Sequence, residues 1–186
     1  MKILLHACCG PCASAALPVL AGKGDEVAMF YSNSNIDTEE EFERRLESAR
    51  RLAAADGVEI VADVYDHADW LEKVAKGFEN EPEKGARCRR CWEYSLRRTA
   101  EYAASRGFDA FSTSLTTSPH KPSPAVFEAG EKAGAGRFLA VDFKKNGGFL
   151  VSTRRSAELA LYRQKYCGCE FSRRARAAAA TEDEDK

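Results

Sequence analysis

The chain has 186 residues, 44% apolar and 31% charged, with 28 Lys and Arg against 29 Asp and Glu, a balance that fits one soluble globular domain with a core of its own. The opening MKILLHACC holds one charge and an apolar run of a few residues, too short for a secretory signal or a membrane span, so the expected compartment is the cytoplasm. Seven cysteines cannot all pair, and a disulfide framework is not expected in a reducing compartment.

Lys2 to Ala7 reads as a short buried strand, and Pro11 followed by Ala13, Ala15, Ala16 and Leu17 as a helix entered through a proline. The turn between them carries Cys8, Cys9 and Cys12 at a strand's carboxyl end. In open parallel sheets that place, beside a helix N-terminus, favours negative charge, so the dipole is expected to lower the pKa of Cys9 and Cys12. Glu26 to Tyr31 is a second strand. Thr38 with Glu41 makes a capping box for a helix whose apolar positions Phe42, Leu46, Ala49, Leu52 and Ala53 recur at helical spacing until Gly57. A strand over 58–64, a helix over 66–75, a long helix over about 89–106 and a strand over 108–113 follow. The polar loop Thr116 to Ser123 again sits at a strand's carboxyl end. After it come a helix to about Ala133, a last strand over 138–143 and a final helix over about 152–165. This alternation predicts an α/β fold, a parallel sheet with helices on both faces. One domain is expected over 1–172, with the Arg/Ala-rich and then acidic residues 173–186 as a frayed or disordered tail.

The cysteines fall into three groups: Cys8, Cys9 and Cys12; Cys88 and Cys91; Cys167 and Cys169. Three residues is nearly one helical turn, so a Cys-x-x-Cys at a helix start aims two sulfurs at one centre. Together the three groups point to metal. Four thiolates saturate one zinc or one 4Fe-4S cluster and leave three for a second metal with an open position. A chain with this much apolar strand and helix does not need a metal to fold, which makes the metal's role chemical. Base concentrates beside the thiols, at Arg87, Arg89, Arg90, Arg97 and Arg98 and again at Arg154, Arg155, Arg163, Lys165, Arg173, Arg174 and Arg176. A polyanionic partner brought to the site would use such groups.

Leu5-His6-Ala7-Cys8-Cys9-Gly10-Pro11-Cys12, Arg87-Cys88-Arg89-Arg90-Cys91, Phe111-Ser112-Thr113-Ser114-Leu115 with Ser118-Pro119-His120-Lys121, Asp142-Phe143-Lys144-Lys145, and Tyr162-Arg163-Gln164-Lys165-Tyr166-Cys167-Gly168-Cys169 resemble, in order and spacing, the cobalamin-independent epoxyqueuosine reductases. The resemblance implies a fold of the adenine-nucleotide α-hydrolase type, related to PP-loop enzymes. It also implies an oxidoreductase that removes the epoxide oxygen of epoxyqueuosine at the tRNA wobble position, giving queuosine and water. The implied cofactors are a 4Fe-4S cluster and an adjacent mononuclear iron, held by all seven cysteines. Within that likeness the expected division gives Cys9, Cys88, Cys91 and Cys169 to the cluster and leaves Cys8, Cys12 and Cys167 for the iron.

Removing the oxygen takes two electrons and two protons, which a Lewis-acidic iron and a cluster relaying single electrons can serve. The expected catalytic group is Cys8 and Cys12 with a proton donor from Asp142, His120 and Tyr166; Tyr31 is a further candidate. His6, Trp70 and Trp92 are expected in the core. The implied partners are tRNA, held through Arg87, Arg89, Arg90, Arg154, Arg155, Arg163 and Lys165, and an electron donor; no membrane is involved. A nucleotide-dependent tRNA thiolase is disfavoured because thiols stand where a Ser-Gly-Gly phosphate loop would be. A zinc-stabilised RNA-binding module is the non-enzymatic alternative, separable by iron and sulfide content.

Overall fold

A computed structural model describes residues 1–22 and 24–184, the last four by backbone alone. At its centre is a four-stranded sheet in the order β3-β2-β1-β4, made of β1 (Lys2–His6), β2 (Glu26–Tyr31), β3 (Ile60–Ala62) and β4 (Ala110–Thr113). Every pairing is parallel, with Leu5 beside Met29 on one side and Ser112 on the other. Parallel neighbours need crossovers, and helices supply them. These are α1 (Gly10–Ala21), α2 (Glu39–Asp56), a short α3 (His67–Trp70) that widens into a π turn at Leu71–Ala75, and α4 (Ala86–Ser105). After β4 come α5 (Ser123–Ala133), α6 (Gly148–Glu158) and α7 (Glu170–Glu184).

Alternation along β1 divides the core in two. Ile3, Leu5 and Ala7 pack with Leu17 and Leu20 of α1 and Phe42, Leu46 and Leu52 of α2. Leu4 faces the other layer, against Trp92 and Leu96 of α4 and Val126 and Ala129 of α5. Leu4 and Leu5 are both fully buried, each worth about 2 kcal/mol by removal from water. The parallel sheet with helices on both faces is thus the architecture found. Local chemistry sets the helix ends: the Thr38 hydroxyl accepts from the Glu41 amide at 3.3 Å, and Gly57 closes α2 at φ 65°.

Several elements differ from the expected boundaries. β3 spans only Ile60–Ala62; beyond it the Asp63 amide still donates to the Tyr31 carbonyl at 2.9 Å, while its carboxylate takes the Ser32 hydroxyl, at 2.6 Å, and pairs with Arg98. Residues 138–143 form one bridge, Phe111 to Phe138, and no strand. Beyond it the Ser112 and Thr116 hydroxyls take the carbonyls of Leu139 and Val141, at 2.9 and 2.7 Å, in place of a ladder. α6 starts four residues early and ends at Glu158, leaving 159–169 as a loop. From 170 the chain is helical to Glu184; Asp185 and Lys186, the end of the expected tail, lie outside the described residues.

The chain leaves β1 toward β2 on one side, and β4 returns on the other, so the strand order reverses between β1 and β4. The crevice past the carboxyl ends at such a switch is where open α/β sheets bind ligands. Cys8 and Cys9 emerge into it. Gly10 starts α1 so close to α2 that a Cβ there would lie 2.8 Å from both the carbonyl oxygen and the Oγ of Ser48. Gly10→Ala should therefore cost about 1–3 kcal/mol and lower Tm by roughly 3–10 °C in a thermal melt; an unshifted melt would contradict this packing.

Candidate metal centre

The first thiol group is held from both flanking strands. The His6 ring donates Nε2–H to the Ser32 carbonyl at 3.1 Å, so Nδ1 accepts from the Thr113 hydroxyl at 2.9 Å, and the buried imidazole is satisfied in the core. The Cys8 amide donates to Ser114 Oγ at 3.1 Å, and that hydroxyl lies 3.3 Å from Cys8 Sγ. Cys9 caps α1, its sulfur accepting from the Cys12 amide at 3.4 Å. The sulfurs of Cys8, Cys9 and Cys12 lie within 4.8 Å of one another. Thiolates sharing one ion at bonds of about 2.3 Å stand roughly 4 Å apart, so a small contraction completes the set.

Hydrogen bonds from the Cys12 and Cys8 thiols hold Cys9 well below the ordinary thiol range despite burial, with Gln164 and the Cys12 amide adding to the effect. Cys12 is pushed up because it shares protons with Cys8 and Cys9 and is itself buried. Cys8, though Cys12 hydrogen-bonds to it, is pushed up to about 12 by Cys9 and by burial. The helix terminus was expected to lower both Cys9 and Cys12; Cys9 is lowered, chiefly by thiol hydrogen bonds, whereas Cys12 is raised because it donates to its neighbours and is buried.

The second group brings Cys88 and Cys91 from the first turns of α4 against Cys167 and Cys169. All four line one small enclosed space of about 20 Å³, together with Trp70 and Trp92. Burial raises the Cys91 thiol well above its usual range, and the charges of Cys167, Cys169 and Cys88 raise it further. Cys88 is raised by burial and the same neighbours, opposed by the Lys84 amide 3.2 Å from its sulfur. The buried Trp70 Nε1–H has no oxygen or nitrogen partner, and it acts on Cys91 to favour the thiolate. Cys88, Cys91 and Cys169, each disfavoured as a thiolate by burial and by neighbouring cysteines, fit a positively charged metal group, which would offset that repulsion and fix the thiolates.

No ladder holds the loop that carries Cys167 and Cys169, so side chains take its carbonyls. Arg45, 1% exposed, pairs with Glu41 at 2.7 Å and donates to the Cys167 and Tyr166 carbonyls at 2.8 and 3.4 Å. The Asp37 amide donates to the Gly168 carbonyl at 3.0 Å, while its carboxylate accepts from the Tyr166 hydroxyl at 2.8 Å and pairs with Arg173 at 2.8 Å. Gly168, at φ 151°, sits where a Cβ would lie 2.7 Å from Asn35 Nδ2. Its conformation and this close approach both require glycine.

A cleft of about 460 Å³ opens over the first group. Cys9, Pro11 and Cys12 line it together with Lys121, Gln164, Tyr166 and Cys167; His120, Arg163, Lys165, Phe149 and Arg176 also border it. Cys167 also borders the small space shared by Cys8 and Cys91, so the three cysteine groups meet at the carboxyl edge of the sheet. Lys121 and Gln164, not singled out from sequence, line both spaces. Burial disfavours the Lys121 ammonium, yet the charges of Cys167, Cys8, Cys12 and Cys9 outweigh it and keep Lys121 cationic. Its place after Ser118-Pro119-His120, at a strand's carboxyl end, was the available signal.

Of the expected proton donors, His120 lines the cleft. Tyr166 lines it too, but its hydroxyl is bound to Asp37. Asp142 lies in a different groove beside Phe143 and Val151, and although burial opposes ionisation, Ser123 and Lys144 keep it a carboxylate. It steadies the Lys144 ammonium, at 3.3 Å, which in turn donates to the Lys121 carbonyl at 3.1 Å. Tyr31 is buried, donating to the Phe42 carbonyl at 3.1 Å.

The basic groups divide the same way. Arg87 is buried and donates to the Phe78 and Glu79 carbonyls at 2.8 and 3.1 Å; Arg90 binds the Val74 carbonyl at 3.2 Å and that of Lys73. Arg155 pairs with Asp56 and donates to the Ser14 carbonyl at 2.7 Å. These three hold the fold. Arg89 is exposed, and Arg154 is exposed beside Glu158; Arg163 and Lys165 reach the cleft. Arg155→Ala should accordingly destabilise the protein by about 2–3 kcal/mol in urea unfolding, whereas Arg163→Ala should leave the midpoint nearly unchanged; equal effects would contradict the division.

A family model described as epoxyqueuosine reductase QueH matches residues 3–175. Proteins carrying that name are similar over most of their length. One from Streptococcus pyogenes serotype M1 is 36% identical over 180 residues, covering 92% of this chain and 70% of the relative. Another from Acinetobacter baylyi is 36% identical over 177 residues, covering 93% and 81%, and one from Dehalococcoides mccartyi is 36% identical over 175 residues, covering 92% of each. With the motif cysteines gathered at one sheet edge and this likeness spanning nearly the whole chain, the protein belongs to the epoxyqueuosine reductase QueH family.

Proposed function

We propose that the chain reduces epoxyqueuosine to queuosine and water within tRNA, drawing two electrons from an external donor. The observation that carries this reading is the cluster of three sulfurs at Cys8, Cys9 and Cys12, joined through Cys167 to the space lined by Cys88, Cys91 and Cys169, beside a cleft with a cationic border. Cys88, Cys91, Cys167 and Cys169 would hold a 4Fe-4S cluster, and Cys8, Cys9 and Cys12 a single iron with a position left for the substrate. The grouping of side chains supports this division over the one expected from sequence, which exchanged Cys9 and Cys167.

When bound, the metals supply single-electron transfer and a Lewis acid for the epoxide oxygen. The chain's own part is to position, charge and protonate. Lys121 Nζ carries a fixed positive charge beside the thiolates and faces the cleft where negative charge develops on the departing oxygen. With Tyr166 engaged by Asp37 and Asp142 elsewhere, His120 at the cleft is the group placed to deliver protons from water. Arg163, Lys165 and Arg176 border the opening, where phosphates of the anticodon arm would lie. An unpaired wobble nucleoside can enter at little cost in lost stacking.

Anaerobically purified protein should contain about five iron and four sulfide per chain, absorb near ~400 nm, and convert an epoxyqueuosine-bearing anticodon stem-loop when given a reductant. Cys88→Ser should lose the sulfide, the absorbance and turnover. Cys8→Ser should lose turnover and about one iron while keeping the sulfide. Colourless protein with stoichiometric zinc and no sulfide would overturn the reading, and loss of all sulfide in Cys8→Ser would overturn the division.

A further inference from the structure

An exposed aromatic ring stands among the residues bordering the cleft, and nothing in the metal chemistry requires it. Phe149, in the first turn of α6, is 38% exposed and lines the cleft beside Arg163. The backbone that carries it is closely constrained. Gly147 enters the helix at φ 77°, and Gly148 packs against the Phe143 carbonyl so closely that no Cβ would fit. One turn further along the same face, Ser152 Oγ donates to the Pro11 carbonyl at 2.6 Å, tying α6 to the thiol turn. Arg163, whose Cζ lies 5.8 Å from the ring centroid, also reaches Ser156 Oγ at 3.3 Å, so cation and ring are set in one frame.

A phenyl ring has no polar group to bind a sugar or phosphate. It offers a flat apolar face in a cleft that Arg163, Lys165 and Arg176 also line, with Arg163 over one side of the ring. An aromatic platform inside a cationic border is the arrangement that holds unpaired nucleotides, the ring stacking a base while the cations track the backbone. We propose that Phe149 is a base-stacking subsite of the cleft, taking one planar nucleobase: that of the target nucleoside or that of an unpaired neighbour in the same loop. This rests on the reading of the substrate as RNA. It adds a residue that selects for a nucleobase independently of the reacting epoxide.

The test uses full-length, metal-loaded protein. The dissociation constant of a fluorescein-labelled unmodified anticodon stem-loop is measured across a salt series, and KM is measured for an epoxyqueuosine-bearing stem-loop and for epoxyqueuosine as the free nucleoside. Phe149→Ala should weaken stem-loop binding roughly 5–100-fold without changing its salt slope, because no charge is removed; Phe149→Trp should restore it, and iron and sulfide should match the parent. Arg163→Ala should flatten the slope. A rise in KM for both substrates places the target's own base on the ring, and a rise for the stem-loop alone places its neighbour there. Unchanged binding and KM in Phe149→Ala, or a weakening that Phe149→Trp does not reverse, overturns the subsite. If the parent protein neither binds nor reduces the stem-loop, the proposed substrate itself has failed, whatever the variants do.

Discussion

The guanidinium of Arg45 lies buried between α2 and the last thiol loop, and the placing of that loop's cysteines depends on it. Residues 159–169 run without strand or helix, so their carbonyls need donors from elsewhere. A buried charge is costly by itself; Glu41 at 2.7 Å neutralises this one, and two carbonyls on the opposite side use its remaining N–H groups. Tyr162 returns to the same carboxylate, its hydroxyl 3.2 Å from each Glu41 oxygen, closing the loop onto α2 at both ends. Asp37 makes a second clasp through the Gly168 carbonyl, the Tyr166 hydroxyl and Arg173. Cys169 is also held from α7, its carbonyl accepting from the Arg173 amide at 3.0 Å and the Ser172 hydroxyl at 2.8 Å, so these clasps chiefly fix Cys167.

The same economy explains a chain of near-zero net charge that gathers seven cysteines at one edge. Arg87, Arg90 and Arg155 are engaged locally. Arg87 and Arg90 hold the 73–79 segment against α4 and stack on Phe171 and Phe78, while Arg155 links α6 to α1 and α2. Lys121 is the cation placed between the thiol groups, and Lys144 reaches across from its pairing with Asp142 to hold the Lys121 carbonyl. Asp142 thus serves the site at one remove, through the position of Lys121. Two charges of opposite sign outside the cleft orient a third inside it.

Sequence alone determined the sheet, the helix entries and the grouping of thiols into motifs, because those depend on local chemistry. β1 alternates its faces, Thr38 caps α2, Gly57 ends it, and the Cys-x-x-Cys spacing of α4 puts two sulfurs on adjacent turns. The likeness of the motifs to one reductase family was equally readable, since it lies in the order of residues. Tertiary structure decided what depends on distance across the fold. It gathered the sulfurs of Cys8, Cys9 and Cys12 and set Cys167 between them and the Cys88–Cys91 pair, an arrangement that no spacing along the chain encodes. It drew Arg87, Arg90 and Arg155 inward, because a run of like charges does not reveal which members face carbonyls that lack donors. It also ended β3 at Ala62 and withheld a strand from 138–143, where the Ser112 and Thr116 hydroxyls offered the backbone nearer partners than a ladder would.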